Sequence, residues 1–327
     1  LTVTAVSSNP DLIPHPTVNY TSPNPTGTLS FAPLPDANGS ATITVTVNDG
    51  HALSNTVSRS FTVTVTPVND APTLNPIADV AIDEDASEQT ISLGGISTGA
   101  TNENQTLVIT ATSSNPGLIP NPTVSYSSPS AIGSLRFTPV SNANGTATIT
   151  VTVNDGQAAN NTVVRTFTVT VNPVNDAPTL NAIADRTIAE NSGLQTVSLS
   201  GISSGAANEN QTLVITATSS EPSLIPHPTV IYTSPNPTGN LTFTPVANQS
   251  GTATITVTVT DGQSENNTVV RTFTVTVTEV NSAPTITAIP DQSVVLGTNS
   301  GALLFTIGDV ESNADALTLS ASSSVPA

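Results

Sequence analysis

The sequence predicts an all-β chain, a tandem array of β-sandwich domains of about seven strands each. Three observations carry this. First, the text repeats: VNDAPTL occupies 68–74 and 174–180 and returns as VNSAPTI at 280–286, an offset of 106 residues from Asn69 to Asn175 to Asn281. A period of that length is one domain per repeat. Second, β-branched residues alternate strictly. In 146–153 the apolar Ala147, Ile149, Val151 and Val153 interleave with Thr146, Thr148, Thr150 and Thr152. A period of two is a strand with one buried and one wet face. Third, no window shows sustained helical spacing.

In the second repeat the strands are expected near 78–83, 88–93, 106–112, 122–127, 134–138, 146–153 and 163–171. The alternation of 146–153 recurs at 40–47 and 252–259, and Phe167, Val169 and Val171 share one face of the last strand. Clusters of Pro, Gly, Asn and Ser, the turn formers, separate the strands. About seven short strands in roughly 100 residues is the pattern of an immunoglobulin-like sandwich. Six of the seven Phe fall on two repeated positions, 31/137/243 and 61/167/273, and are expected as core anchors. Tyr20, Tyr126 and Tyr232 recur likewise and are read as structural.

The linker motif divides the chain into a partial repeat at 1–69 without its opening strands, complete repeats at 70–175 and 176–281, and a partial repeat at 282–327 with opening strands only. The window reads as an excerpt of a longer protein or a processed piece of one. The linker at 171–178 carries Pro173 and Pro178 and no flexible Gly/Ser tract, so a semi-rigid junction is expected.

Composition narrows the function. The formal net charge is −18, and all five basic residues are Arg. Such a chain repels nucleic acid and anionic membranes. Absence of cysteine removes disulfides and thiol chemistry, and absence of lysine removes Lys–Asn isopeptide staples. No apolar run has membrane-spanning length. No nucleophile elbow, phosphate loop or paired histidines stand out, so no enzyme is expected. His15 and His227 read as solvated loop residues, with Asn121 at the matching place. The Thr-x-Thr ladders read as strand formers on a wet face. Asn104–Thr106 and Asn210–Thr212 are glycosylation sequons of the kind that chance produces in such a composition.

Acidic residues are few but recur at the period. Asp70 and Asp176 follow Asn69 and Asn175 in the linkers; Glu84 matches Glu190; Glu103 matches Glu209 within NENQTL; Asp49, Asp155 and Asp261 sit in Asp-Gly turns; and Asp79, Asp185 and Asp291 recur after the linkers. Hard cations take roughly six to eight oxygens from carboxylates, amides and carbonyls, which a domain junction could gather. The candidate calcium ligands are therefore Asp49, Asn69, Asp70, Glu84, Glu103, Asp155, Asn175, Asp176, Glu190, Glu209 and Asp261. The alternative is that these residues cap backbone amides in turns and linkers.

With its PVNDAPTL linkers, AEN at 189–191 and TVTVNDG strands, the whole chain resembles the bacterial cadherin-like tandem repeats of large surface and secreted proteins. In the fourth copy GDVESNADALTL at 308–319, with Asp309, Glu311 and Asp315, is similar to the family's usual form. The resemblance implies extracellular modules, commonly calcium-stabilised, with adhesion or matrix roles. There are departures. Pro67 and Pro173 stand where animal cadherins have a further Asp, no DRE motif is present, the paired-Asp motif is replaced by Glu103 and Glu209 flanked by Asn, and the third linker has Ser282 in place of Asp. A three-ion junction is not expected; one calcium per junction or per domain is the form to test.

The expected function is a structural, extracellular stalk or fibre module of an adhesin-type surface or matrix protein, with neighbouring repeats as partners. The alternative is a filament subunit. The opening strands of 282–327 in one chain would complete the sandwich of 1–69 in the next, a head-to-tail contact that does not close.

Overall fold

A computed structural model of the chain describes residues 1–324 and shows two compact units, Leu1–Val174 and Asn175–Ala327. The first unit opens with β1 (Thr2–Ser7), β2 (Thr17–Asn19), β3 (Thr28–Ser30), β4 (Gly39–Asn48) and β5 (Thr56–Val65). The second repeat follows with β6 (Val80–Asp83), β7 (Gln89–Gly94), β8 (Val108–Ser113), β9 (Thr123–Ser125), β10 (Ile132–Phe137), β11 (Gly145–Asn154) and β12 (Thr162–Asn172). The other unit holds β13 (Arg186–Ala189), β14 (Gln195–Ser200), β15 (Val214–Ser219), β16 (Thr229–Ile231), β17 (Thr238–Phe243), β18 (Gly251–Thr260) and β19 (Thr268–Thr278), then β20 (Thr285–Ile286) and β21 (Ile307–Gly308). All seven strands expected in the second repeat are present.

Each complete repeat is a four-stranded sheet, β6-β12-β11-β8 or β13-β19-β18-β15, facing a three-stranded one, β7-β10-β9 or β14-β17-β16. The short opening strand pairs parallel to the last strand, Val80 opposite Val169 and Arg186 opposite Val275. The remaining pairings are antiparallel. The long hairpin of β11 and β12 places Ile149 opposite Phe167, with Ala147, Val151, Val153, Val169 and Val171 on the same inner face, all buried. The intervening Thr residues stand on the outer face, as the alternation requires. Two cores result, one around Leu135, Phe137, Ile149 and Phe167, the other around Leu241, Phe243, Ile255 and Phe273.

The first repeat differs. Among the described residues it has β1-β4-β5 and β2-β3, with no strand on the outer side of β5 or of β3. The expectation that all six recurrent Phe are core anchors holds for Phe137, Phe167, Phe243 and Phe273. It fails for Phe31 and Phe61, which are 41% and 42% exposed and form a tilted pair, their ring centroids 6.3 Å apart and their planes at 40°. The strands that cover their counterparts are not there. Among the described residues no helix is long and apolar enough to cross a membrane.

Candidate functional site: the linker and its acidic partners

The acidic residues group at opposite ends of each sandwich. Asp155 lies at the turn where β11 passes to β12, and Glu84 lies beside the far end of β12. The eleven residues of β12 between them span ~35 Å at about 3.3 Å per residue. The two therefore serve different surroundings.

At the incoming end, the turn Asn154–Asp155–Gly156 is closed by its own side chains. Gly156, at φ +78°, donates its N–H to Asn154 Oδ1 at 2.6 Å, and Gln157 N–H donates to Asp155 Oδ1 at 2.9 Å. This leaves Asp155 Oδ2, in a side chain only 3% exposed, to accept from Asn69 Nδ2 at 2.9 Å. Asn160 adopts the left-handed conformation (φ +47°), open to Asn at modest cost, and its amide donates to Asn69 O at 3.1 Å. The loop after β7 reaches the same linker: Asp70 N–H donates to Glu103 Oε1 at 2.8 Å, and Gln105 Nε2 donates to Asn69 Oδ1 at 2.9 Å. Gly99 makes this approach possible. It sits at φ +109°, and a Cβ there would fall 2.6 Å from Ala71 O.

The third repeat reproduces the arrangement. Asp261 Oδ2 accepts from Asn175 Nδ2 at 2.9 Å, Asp176 N–H donates to Glu209 Oε1 at 2.8 Å, Gln211 Nε2 donates to Asn175 Oδ1 at 2.9 Å, and Gly205 presses on Asp176 and Ala177. At the third linker Ser282 bonds Glu311 with both its N–H and its hydroxyl, at 3.1 and 2.8 Å.

At the outgoing end, buried Glu84 accepts from Val174 N–H at 2.8 Å, and buried Glu190 accepts from Val280 N–H at 3.0 Å. Asp49 stands alone among the candidates, in the β4–β5 turn, where it accepts from His51 N–H. The structure thus brings together Asn69, Asp70, Glu103 and Asp155, and separately Asn175, Asp176, Glu209 and Asp261. Asp49, Glu84 and Glu190 lie apart from these groups within their own units.

Sequence reasoning missed Gln105 and Gln211, although their recurrence within NENQTL was a usable signal. It also missed the backbone carbonyls of 159–160 and 265–266, for which residue types give none. His15 and His227 are not merely solvated: their Nδ1 atoms accept from Ser7 and Ser219 N–H, as Asn121 Oδ1 does from Ser113 N–H.

Calcium needs several oxygens converging on one point, with carboxylates prominent among them. As folded, Glu103 Oε1 is turned to a linker N–H, and Asp155 Oδ2 and the nearby carbonyls are turned to the Asn69 amide. Among the described residues no group of three or more His, Asp and Glu side chains converges to hold a metal. Glu103 Oε2, Gln105 Oε1 and Gln211 Oε1 are buried without a hydrogen-bond partner.

Among solved structures the chain is similar to protocadherin gamma B2 extracellular cadherin domains 1–5 (12% identity, 93% of this chain and 59% of that one, TM-score 0.44). It is similar to the human desmocollin-1 ectodomain (15%, 76% and 49%, TM-score 0.38) and to domains 4–9 of the surface layer protein SbsC (16%, 88% and 41%, TM-score 0.25). The chain therefore spans between 41% and 59% of those chains. No curated protein matches the sequence. The family model described as Bacterial Ig domain matches residues 69–171 and again 175–278. Those two spans make up more than half of the chain, which belongs to the bacterial Ig domain family.

Proposed function

We propose that this chain is a structural spacer of an extracellular bacterial surface or matrix protein, acting through length and limited bending. The observation that supports it most is the fastening of each incoming linker. Asp70 and Asp176 give their backbone N–H groups to Glu103 and Glu209, at 2.8 Å in both copies. A freely swinging hinge leaves such groups to water. Hydrogen bonds to a carboxylate stabilise by about 1.5–3 kcal/mol each, enough to favour one linker conformation. Membership of the bacterial Ig domain family supports the extracellular placement, and the net charge of −18 suits a solvated surface.

Negative-stain imaging of the full chain tests this. A narrow distribution of bend angles, broadened in the Glu103→Ala/Glu209→Ala double variant, is the expected result. Equally broad distributions for both proteins contradict it.

One observation favours a second reading, the head-to-tail filament. Leu1, Val3, Val18, Leu29, Val45 and Val47 line an apolar groove of about 330 Å³ on the first repeat. A strand from 282–327 of a second copy is its proposed occupant. Polymers that sediment from the full chain and vanish on deleting 282–327 support this reading; a monomer, or polymers indifferent to the deletion, sinks it.

A further inference from the structure

In both complete repeats, oxygen atoms gather around the linker asparagine as they do around a cation. Asn69 Nδ2 lies 2.9 Å from Asp155 Oδ2, 3.0 Å from Ala159 O, 3.2 Å from Asn160 O and 3.1 Å from Asp70 O. Asn175 Nδ2 lies 2.9 Å from Asp261 Oδ2, 3.1 Å from Glu265 O, 3.3 Å from Asn266 O and 3.2 Å from Asp176 O. A primary amide carries two N–H protons. Four acceptors therefore share two protons, and one acceptor in each set belongs to a buried carboxylate.

With Gln105 and Gln211 in the orientation the structure gives them, the amide is held this way round. Its oxygen already accepts from Gln105 or Gln211 Nε2. The flipped form would set that oxygen among four others and point one NH₂ group at another. The cage is built mainly from backbone, which is why Ala159 in one repeat and Glu265 in the next make equivalent contacts.

We propose that the linker asparagine is the junction's resident substitute for a metal ion: its amide fills the oxygen cage, and the linker closes on the following repeat without calcium. The cadherin-like resemblance implies an ion at such a junction, and here a neutral side chain takes the position. An aspartate in its place would bring a carboxylate and no protons into the cage. The cage would then hold two carboxylates and three carbonyls, and would need a cation to close. The inference concerns the chemistry of closure and is separable from the spacer role: melting reads the first and imaging the second, so either can fail alone.

The test is thermal unfolding of the full chain in millimolar calcium and in chelator, for the wild type and for Asn69→Asp/Asn175→Asp. Wild-type midpoints that agree within about 1 °C are expected. The Asp variant should lose about 5 °C or more in chelator and recover most of it in calcium. That recovery should disappear when Asp155→Asn and Asp261→Asn are added. A calcium-induced rise in the wild type that is lost in Asp155→Asn/Asp261→Asn overturns the proposal, as does an Asp variant that folds but gains nothing from calcium. If the Asp variant does not fold in either buffer, the wild-type side-chain amide protons of Asn69 and Asn175 decide the matter by NMR. Slow exchange in chelator supports the proposal, and exchange at the rate of a free amide overturns it.

Discussion

The first and second repeats carry nearly the same text and do not have the same core. The buried hydrophobic core has five residues in the first, Ala5, Leu12, Ile13, Ala41 and Ile43, against sixteen in the second and seventeen in the third. The complete repeats gain Leu74, Leu93 and Ile96, or Leu180, Val197, Leu199 and Ile202, from the opening segment. That segment also buries Phe on the facing sheets. Phe137 and Phe167 are 4% and 2% exposed, whereas Phe31 and Phe61 are about two-fifths exposed. Strand length responds as well. β10 runs six residues because β7 pairs with all of it, while β3 keeps only the three residues opposite β2. Identical side chains at identical repeat positions thus differ in burial because burial belongs to the pair of sheets.

The largest expected effect breaks or keeps this comparison directly. Phe167→Ala and Phe273→Ala should each cost about 3–5 kcal/mol, and Phe61→Ala about 1 kcal/mol, since a half-exposed ring leaves little cavity. The chain has no Trp and one Tyr in each of the first three repeats, so denaturant unfolding followed by Tyr fluorescence can resolve them once the other two are changed to Phe. Equal costs at all three positions would mean that the first repeat is as well packed as the others.

A smaller effect sharpens the comparison. Arg165 and Arg271 donate Nε to Leu74 O and Leu180 O, tying the opening segment to the last strand, whereas Arg59 Nη1 donates to the adjacent Ser58 O. Arg271→Ala should cost about 1 kcal/mol, and Arg59→Ala should stay within about 0.5 kcal/mol. Denaturant midpoints measure both, and a larger loss at Arg59 would contradict the role given to the opening segment.

The fold was readable from the sequence because alternation of Thr with Val, Ile and Ala over eight residues has one structural meaning. The exposure of Phe31 and Phe61 was not, because repeat position was taken as a guide to burial while the covering strands are absent from 1–69. At the linker, recurrence found Asn69, Asp70, Glu103 and Asp155. Their work was hidden because it consists of accepting backbone N–H groups and surrounding an amide, which depends on how the loop at Gly99 approaches Ala71. The interchange of His15 and His227 with Asn121 was visible in the text, and it signalled a shared acceptor, since a ring Nδ1 and an amide oxygen can both take an N–H.

The smallest expected effect lies in the last segment. Desolvation raises the Asp309 carboxyl, but hydrogen bonds from Ser312 and Glu311 more than offset that and hold it below the ordinary carboxylate range. A lowered folded value stabilises above the unfolded value and loses that stabilisation as pH falls through the folded one. An NMR titration of the full chain should show Asp309 protonating below the ordinary carboxylate range. Protonation of Asp309 within or above that range would remove the turn at 309–312 from the account.

The central claim is that each linker is fastened to the repeat it enters. Amide hydrogen exchange on the full chain, in chelator, tests it most directly. The Asp70 and Asp176 N–H groups should exchange slowly, at rates comparable to strand amides, and lose that protection in Glu103→Ala and Glu209→Ala. Exchange of both at random-coil rates in the wild type would show that the linkers swing free, and would contradict the account.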